Sequence, residues 1–540
     1  MRQTTLSVAL EVKPESCAHL AQRLDALRQK PSRAAPASIG PYADFLAAIP
    51  ALHFMSLSIF RGYDFDPLFI IEANFDGAPG PFWAQLEHLI GDELRACLRC
   101  CKQPLDKYGP LFTSITDDQS RAPIAPYLEA RSLTPTVYHH GNRGLPRDRI
   151  LAEFALFKAT RHTIAADDAA YRAMSPARIH AQLRTALQPD FAWLDQPAPP
   201  RITSMENLAD WLGLGAFVIL AILGLSAPGL ILALITSPLR FILLLVAAFL
   251  VLLYLFRQVA DPLPNTATPT KFRLLDFLSK QVPAALVVLA CLAVYVVGIS
   301  ALATPIAILL KERPLAEAWA GTLLWIALGL LSVPVTVLGL LVCLRILERG
   351  ESSQDAPPVD PVMLREMARR EDWIPQNHMG SLVLIKPGLL RAVLIRAGHF
   401  GLGRLLRIIA RNGYLGSMRT IHFAHWAMVN NNSRLLFFSN FDQTWESYLD
   451  DFIEKAHIGL TLAWGCGVGF PPARFLIFDG ASRGRQFKDW ARHSMAVSRF
   501  WYSAYRDLTA EQVERNYRLA LGLRKPSLSD QEATLWIKDL

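Results

Sequence analysis

Two stretches of this chain place a histidine, an aspartate and an arginine in the same order. His53 stands in "LHF", Asp76 in "ANFDG" and Arg143 in "HGNRG"; His422 stands in "IHF", Asp442 in "SNFDQ" and Arg506 in "SAYRD". A histidine on a buried strand face can act as a general base. A carboxylate can face a ligand or take a bidentate ion pair from arginine. His422, Asp442 and Arg506 are therefore the candidate catalytic set. Each also has a plainer structural reading. An aspartate where a strand gives way to a helix can accept the free first-turn N–H groups and favours the positive dipole end. A strand histidine can simply be hydrogen-bonded. His457 and His493 are further candidates; the first half carries Gly91 where the second carries His457, so that histidine is no general need of the pattern.

Other chemistry-bearing residues are weaker signals. Cys97, Cys100 and Cys101 form "CLRCC" at helical spacing, with no second Cys/His pair nearby at zinc spacing. The second half puts Leu460, Ala463 and Trp464 at the matching positions, as helix packing would; acylation of a cysteine-rich helix is the other reading. The seven cysteines are scattered, two of them inside apolar runs, which fits a reducing compartment rather than a disulfide framework. "GCGVGF" from Gly465 and the glycines near His399 match neither a Walker nor a dinucleotide fingerprint, and no Gly-x-Ser-x-Gly elbow occurs. No metal site is expected.

The elements that must position these residues repeat. "EVKP" from Glu11 answers "LIKP" from Leu384, "LHF" answers "IHF", "PFWAQLEHLI" answers "TWESYLDDFI", and "VYHHGNRGLPRDRI" answers "FWYSAYRDLTAEQV". The matches stay in order and their spacing drifts by a few residues, as loop insertions produce. Each half reads as a strand (about 4–13; 380–386), a helix (16–29; 388–411), two strands (51–61 and 67–74; 420–429 and 434–440), an amphipathic helix (81–100; 444–462), a fourth strand (135–140; 498–504) and a last helix (146–160; 509–521). This β-α-β-β-α-β order is ferredoxin-like. Its sheet is covered by helices on one face only, so the bare face must be buried, and the other half is the obvious partner.

Two such units with facing sheets resemble the dimeric α/β-barrel superfamily, which includes dye-decolorising-type haem peroxidases, chlorite dismutases and small monooxygenases. The wording "NFDQTWESYLDDF" also resembles uncharacterised bacterial membrane proteins loosely grouped with the peroxidases. The resemblance covers both polar regions. It implies a haem cofactor held by His422, with His457 as a second candidate, and an oxidoreductase of peroxidase or monooxygenase type. "NFDG" at Asn74–Gly77 lacks the leading glycine of the peroxidase signature, and the second half reads "NFDQ".

Between the halves the composition changes. Hydrophobic residues make up 52% of the chain and mean hydropathy is +0.23, with the excess concentrated between about 208 and 347. Uncharged runs cover 212–239, 241–256, 281–310 and 318–344. A bilayer needs roughly 20 apolar residues per helix, so four transmembrane helices are expected. The second is the shortest, about 16 residues or roughly 24 Å. The resulting division is a first ferredoxin-like unit (1–165), a linker (166–205), four membrane helices (206–349), a linker (350–378) and a second unit (379–540). An even number of crossings returns the chain to its starting side. Lys271, Arg273, Lys280, Arg345 and Arg349 outweigh Arg240, Lys311 and Arg313, which favours both units in the cytoplasm of a bacterial inner membrane. The N-terminus shows no signal-peptide pattern and reads as a strand.

The net charge of +8 is thinly spread, without the clustered basic and aromatic pattern of nucleic-acid binding. The bilayer is the expected partner, with a small lipophilic ligand between the sheets; an oligomer is compatible. The membrane runs carry almost no ionisable residue in mid-span, so anchoring outweighs transport. Two functions stay open: a membrane-attached oxidoreductase on a lipophilic substrate, and a non-enzymatic membrane-anchored protein that binds a ligand or partner.

Overall fold

The computed structural model describes residues 2–30, 44–62, 65–260, 274–311, 314–351, 359–410, 413–415 and 418–540. Two four-stranded antiparallel sheets build the polar part. Their strands are β1 (Gln3–Glu11), β2 (Leu52–Phe60), β3 (Leu68–Asp76), β4 (Val137–His140), β5 (Gln376–Leu384), β6 (Ile421–Val429), β7 (Arg434–Asp442) and β8 (Phe500–Ser503). One sheet has the order β1-β3-β2-β8 and the other β4-β6-β7-β5. Each half thus sends its fourth strand to the edge of the other half's sheet. β4 runs along β6, with His139 opposite Ala424, and β8 runs along β2, with Tyr502 opposite Met55. Gly141, just after β4, lies where a Cβ atom would overlap the Ile421 carbonyl, so the crossing strand needs glycine there to close on β6.

Strand alternation explains what each face does. On β3, Phe69, Ile71, Ala73 and Phe75 enter the core beneath the helices α1 (Cys17–Arg28) and α2 (Pro79–Arg99), while Leu68 and Ile70 point the other way. On β7, Leu435, Phe437 and Phe441 pack under a second helical layer, and Leu436 and Phe438 face inward. The inner faces meet: Phe60, Leu68, Ile70, Leu382, Leu436 and Phe438 form one cluster across the two sheets, and Phe54, Phe423, Trp501 and Tyr505 form another. Between these apolar ends the inner faces are polar. β2 and β6 carry the same irregularity, between Leu52 and Phe54 and between Ile421 and Phe423. A bulge re-aims the extra side chain, and at both places that residue is a histidine.

The last helices of the halves, α3 (Arg147–Ala166) and Ala510–Arg524, pack together with Leu156, Leu519 and Leu523 in their seam. The segment read as a linker, 166–205, carries helices Asp168–Arg172 and Pro176–Leu187, whose Leu183 and Leu187 join that seam.

Four stretches of helix are long and apolar enough to cross a membrane: Ser204–Ile235, Pro238–Val259, Ala285–Leu310 and Leu315–Arg349. They are α4 (Ser204–Ile235), α5 (Pro238–Val259), α6 (Leu274–Lys311) and, in the fourth, α7 (Leu315–Leu331) followed by α8 (Val333–Arg349). The second runs from Pro238 to Val259, longer than its uncharged run, because Arg240 and Arg257 sit within its end turns. The fourth breaks at Ser332, where Pro334 occupies the first turn of the next helix. Both ends of the anchor meet the polar part. Asp210, near the start of α4, binds Arg143 and Arg407; Glu348, at the end of α8, accepts the backbone N–H groups of Phe475 and Leu476. Arg349 also reaches the Gln258 carbonyl at the end of α5. Lys271, Arg273 and Arg313, which the orientation reading uses, lie outside the described residues.

Further helices are α9 (Leu389–Ile409), α10 (Trp445–Trp464), α11 (Gly484–Ser494) and α12 (Ala510–Arg524).

Candidate functional site

The repeated histidine and aspartate do come together. His422 Nε2 lies 2.7 Å from Asp442 Oδ1, and His53 Nε2 lies 3.0 Å from Asp76 Oδ2, all four side chains being buried. Each aspartate also caps a helix, but not the adjacent one. Asp442 Oδ2 accepts the Ala510 N–H at the start of α12, and Asp76 Oδ2 accepts the Arg147 N–H at the start of α3. The helix directly after Asp442 is capped by Thr444 instead. Gly77 and Gln443 hold the intervening turn at φ +99° and +77°. The Gly-to-Gln difference between the halves is thus placed at a turn rather than at a site of chemistry. At this positive φ Gln443 accepts from Ser447 Oγ at its side-chain Oε1 and from Asn377 Nδ2 at its backbone carbonyl.

Arg143 takes partners other than Asp76. Arg143 donates to Asp210 and to the Arg407 carbonyl. Arg506 is half-buried in the turn after β8, while Asp442 takes its bonds from His422 and Ala510.

The His422 ring is sealed between Phe54, at 5.2 Å, and Tyr505, at 5.8 Å between centroids. Its Nε2 is committed to Asp442. His457 lies on α10, which covers the opposite face of the same sheet, and bonds its own helix at the Ile453 carbonyl. The sheet separates the two histidines. His422 Nδ1 is buried without a hydrogen-bond partner, but with the sheet between them the two histidines do not face one haem. Among the described residues no three His, Cys, Asp or Glu side chains gather to hold a metal ion. Cys97 and Cys101 are buried in helix packing, which pushes the Cys97 thiol up to about 12.

The polar layer between the sheets centres on Glu72, which the strand pattern "LFIIEANFD" hides. Its carboxylate accepts from Ser56 at 2.8 Å, Asn74 at 2.7 Å and Asn440 at 3.0 Å, and faces His378 Nε2 at 3.2 Å. Burial alone would raise this carboxyl, but the His378 hydrogen bond, the charges of His378 and His425, and the Ser56 hydroxyl overrule it and hold it at about 2. His378 Nδ1 in turn meets Ser498 Oγ at 2.7 Å. His425 Nε2 meets Ser7 Oγ at 2.9 Å, and burial pushes that imidazole down to about 4. Trp501, on the exchanged strand β8, donates to Asn440 Oδ1 at 2.8 Å. Every donor around Glu72 comes from a strand, two of them from the other half, so the layer cross-links both halves.

Beyond it lies a groove of about 630 Å³. Phe60, Phe65, Met363, Leu382, Trp490 and Val497 give it apolar walls. Arg61, Asp360, Glu366, His493, Ser494 and Arg499 supply its polar groups. Met495 and Ala496 form a shared wall, and behind them a water-sized cavity touches His378, Ser498 and Trp501. Of the candidate histidines, aspartate and arginine read from sequence, His493 lines the groove; His422, Asp442, Arg506 and His457 do not.

No protein-family model, no curated protein and no solved structure matches this chain.

Proposed function

We propose that this chain is a membrane-anchored binding protein for a small lipophilic molecule. Its two halves are a fused pair of ferredoxin-like units that face each other as a pseudo-dimeric α/β barrel, held at the cytoplasmic side of a bacterial inner membrane. What supports the barrel is the meeting of inner faces and the exchange of β4 and β8 between sheets. The observation that carries the binding reading is the groove: apolar walls with a few convergent polar groups are the usual make-up of a small-molecule site. It opens where β2 and β5 end, past Glu72, whose carboxylate is occupied by Ser56, Asn74, Asn440 and His378 rather than turned toward a reactant. That favours binding over oxidoreductase chemistry.

The test is extraction of the purified protein, reconstituted from native membranes, with mass spectrometry of what it carries. Val497→Trp fills the groove from a half-buried position. A lipophilic molecule retained in near-stoichiometric amount by the parent chain and lost from Val497→Trp, at unchanged thermal midpoint, is expected. Equal recovery from both proteins, or from neither, contradicts the reading.

A further inference from the structure

The helix α9 (Leu389–Ile409) has features that neither the sheets nor the groove require. Its sequence carries Arg391, Arg396, Arg404 and Arg407 and no acidic residue. One stripe, Ile395, His399 and Leu406, is buried toward the β6–β7 sheet. Other apolar side chains stand in the open: Leu389 is 83% exposed, Val393 53% and Ile409 61%.

Both ends of α9 are tied to the anchor. Toward its start, Arg391 donates to the Leu347 carbonyl at 2.9 Å and to Glu351 at 2.6 Å, where the fourth span leaves its apolar stretch. Toward its end, Arg407 pairs with Asp210 at 2.5 Å, where the first span begins. Between these ties, Gly401 lies against the Phe217 ring, the Phe400 ring meets Phe217 tilted at 5.8 Å, and Arg404 lies against Gly213. The two ties are 16 residues apart, about 24 Å along the helix. A helix joined at separate points to the same-side ends of two different spans runs across those ends. It therefore lies along the plane where hydrocarbon gives way to headgroups, with Leu389 and Val393 beside the apolar surfaces of the spans.

We infer that α9 is an interfacial helix that buries Leu389 and Val393 among lipid chains and binds the phosphate headgroups of anionic phospholipid through Arg396 and Arg404. Arg391 and Arg407 are engaged with Glu351 and Asp210, while Arg396 is exposed and Arg404 sits over the Phe400 ring at 4.9 Å. A cationic helix with an apolar face and no acids has the composition of helices that lie in an interface. Continuity with the spans makes lipid, rather than a soluble partner, the occupant. The inference rests on the membrane reading and is independent of what the groove binds.

The test uses the full chain in lipid nanodiscs of phosphatidylcholine, alone or mixed with phosphatidylglycerol. Cys343, the exposed native thiol, is replaced by Ala, and a fluorophore is attached at Val393→Cys. Quenching by lipid brominated near the headgroup end of its chains, with little quenching by aqueous iodide, is the expected result. Phosphatidylglycerol added to the detergent-solubilised protein should raise its thermal midpoint at lower concentration than phosphatidylcholine. Each basic residue near an anionic surface contributes about a fivefold preference. Arg396→Gln should therefore shift the phosphatidylglycerol midpoint about fivefold, and Arg396→Gln with Arg404→Gln about 25-fold. Iodide quenching without lipid quenching would overturn the interfacial placement. Equal protection by both lipids, or no shift in the variants, would overturn the anionic-lipid role.

Discussion

A carboxylate with no exposure and four donors around it stays ionised far into acid, whereas imidazoles sealed nearby resist protonation. Burial pushes His139 and His425 down to about 4, from about 6.5 in an unfolded chain. Above pH 6.5 both are neutral in either state. As pH falls below 6.5 the unfolded chain takes up protons that the folded chain refuses, so stability falls. At pH 5 each histidine costs roughly 2 kcal/mol. Glu72 works in a separate window: held at about 2, it loses its contribution only as pH drops from about 4.5 toward 2. Denaturant midpoints of the detergent-solubilised protein should therefore fall clearly between pH 7.5 and pH 5, and less steeply in His425→Gln. A midpoint that is flat over that range contradicts the burial of these imidazoles. At this scale the sequence was partly legible. The repeated "HF" and "NFD" wording marks His53, His422, Asp76 and Asp442 without revealing that each histidine and aspartate touch. Glu72 and His378 were hidden because an acid or histidine inside an apolar strand looks like an interruption until the facing strand supplies its partners.

Elements were easier to read than their neighbours. The strands fall within a few residues of their expected places, since alternation and β-branched and aromatic content are local signals. The partner of each aspartate was misplaced for the same reason: the helix it caps begins 68 or 71 residues later in the chain, after an exchanged strand, and no local pattern reports that. The anchor's junction was equally invisible. Asp210 sits nearly two turns inside an apolar helix and reads as a flank residue, yet its carboxylate, almost fully buried, holds Arg143 from the turn after β4 and Arg407 from α9. Removing one partner of a buried ion pair leaves the other charges uncompensated, at a cost of about 3–5 kcal/mol. Asp210→Ala should thus loosen the anchor from the sheets, seen as faster proteolysis near 196–203 and a lower thermal midpoint. Asp210→Ala with the cleavage pattern and midpoint of the parent would show that this triad does not hold the junction.

For the whole molecule, exchange of β4 and β8 makes the halves one body. The crossing strands bring Trp501 to the Glu72 layer of both halves and seat the last helices, α3 and α12, against each other. An anchor with an even number of spans suits this, because it returns the chain to the side where its first half waits. The measurement that tests this arrangement most directly is paired-cysteine cross-linking along β4. With strands exchanged, position 139 lies opposite position 424 in the other half. Without exchange it would take the place that Tyr502 holds opposite Met55. Oxidation of His139→Cys/Ala424→Cys should yield a disulfide-linked peptide pair joining the two halves, and His139→Cys/Met55→Cys should not. A cross-link from 139 to 55 with none to 424 would contradict the exchange and the single body built on it.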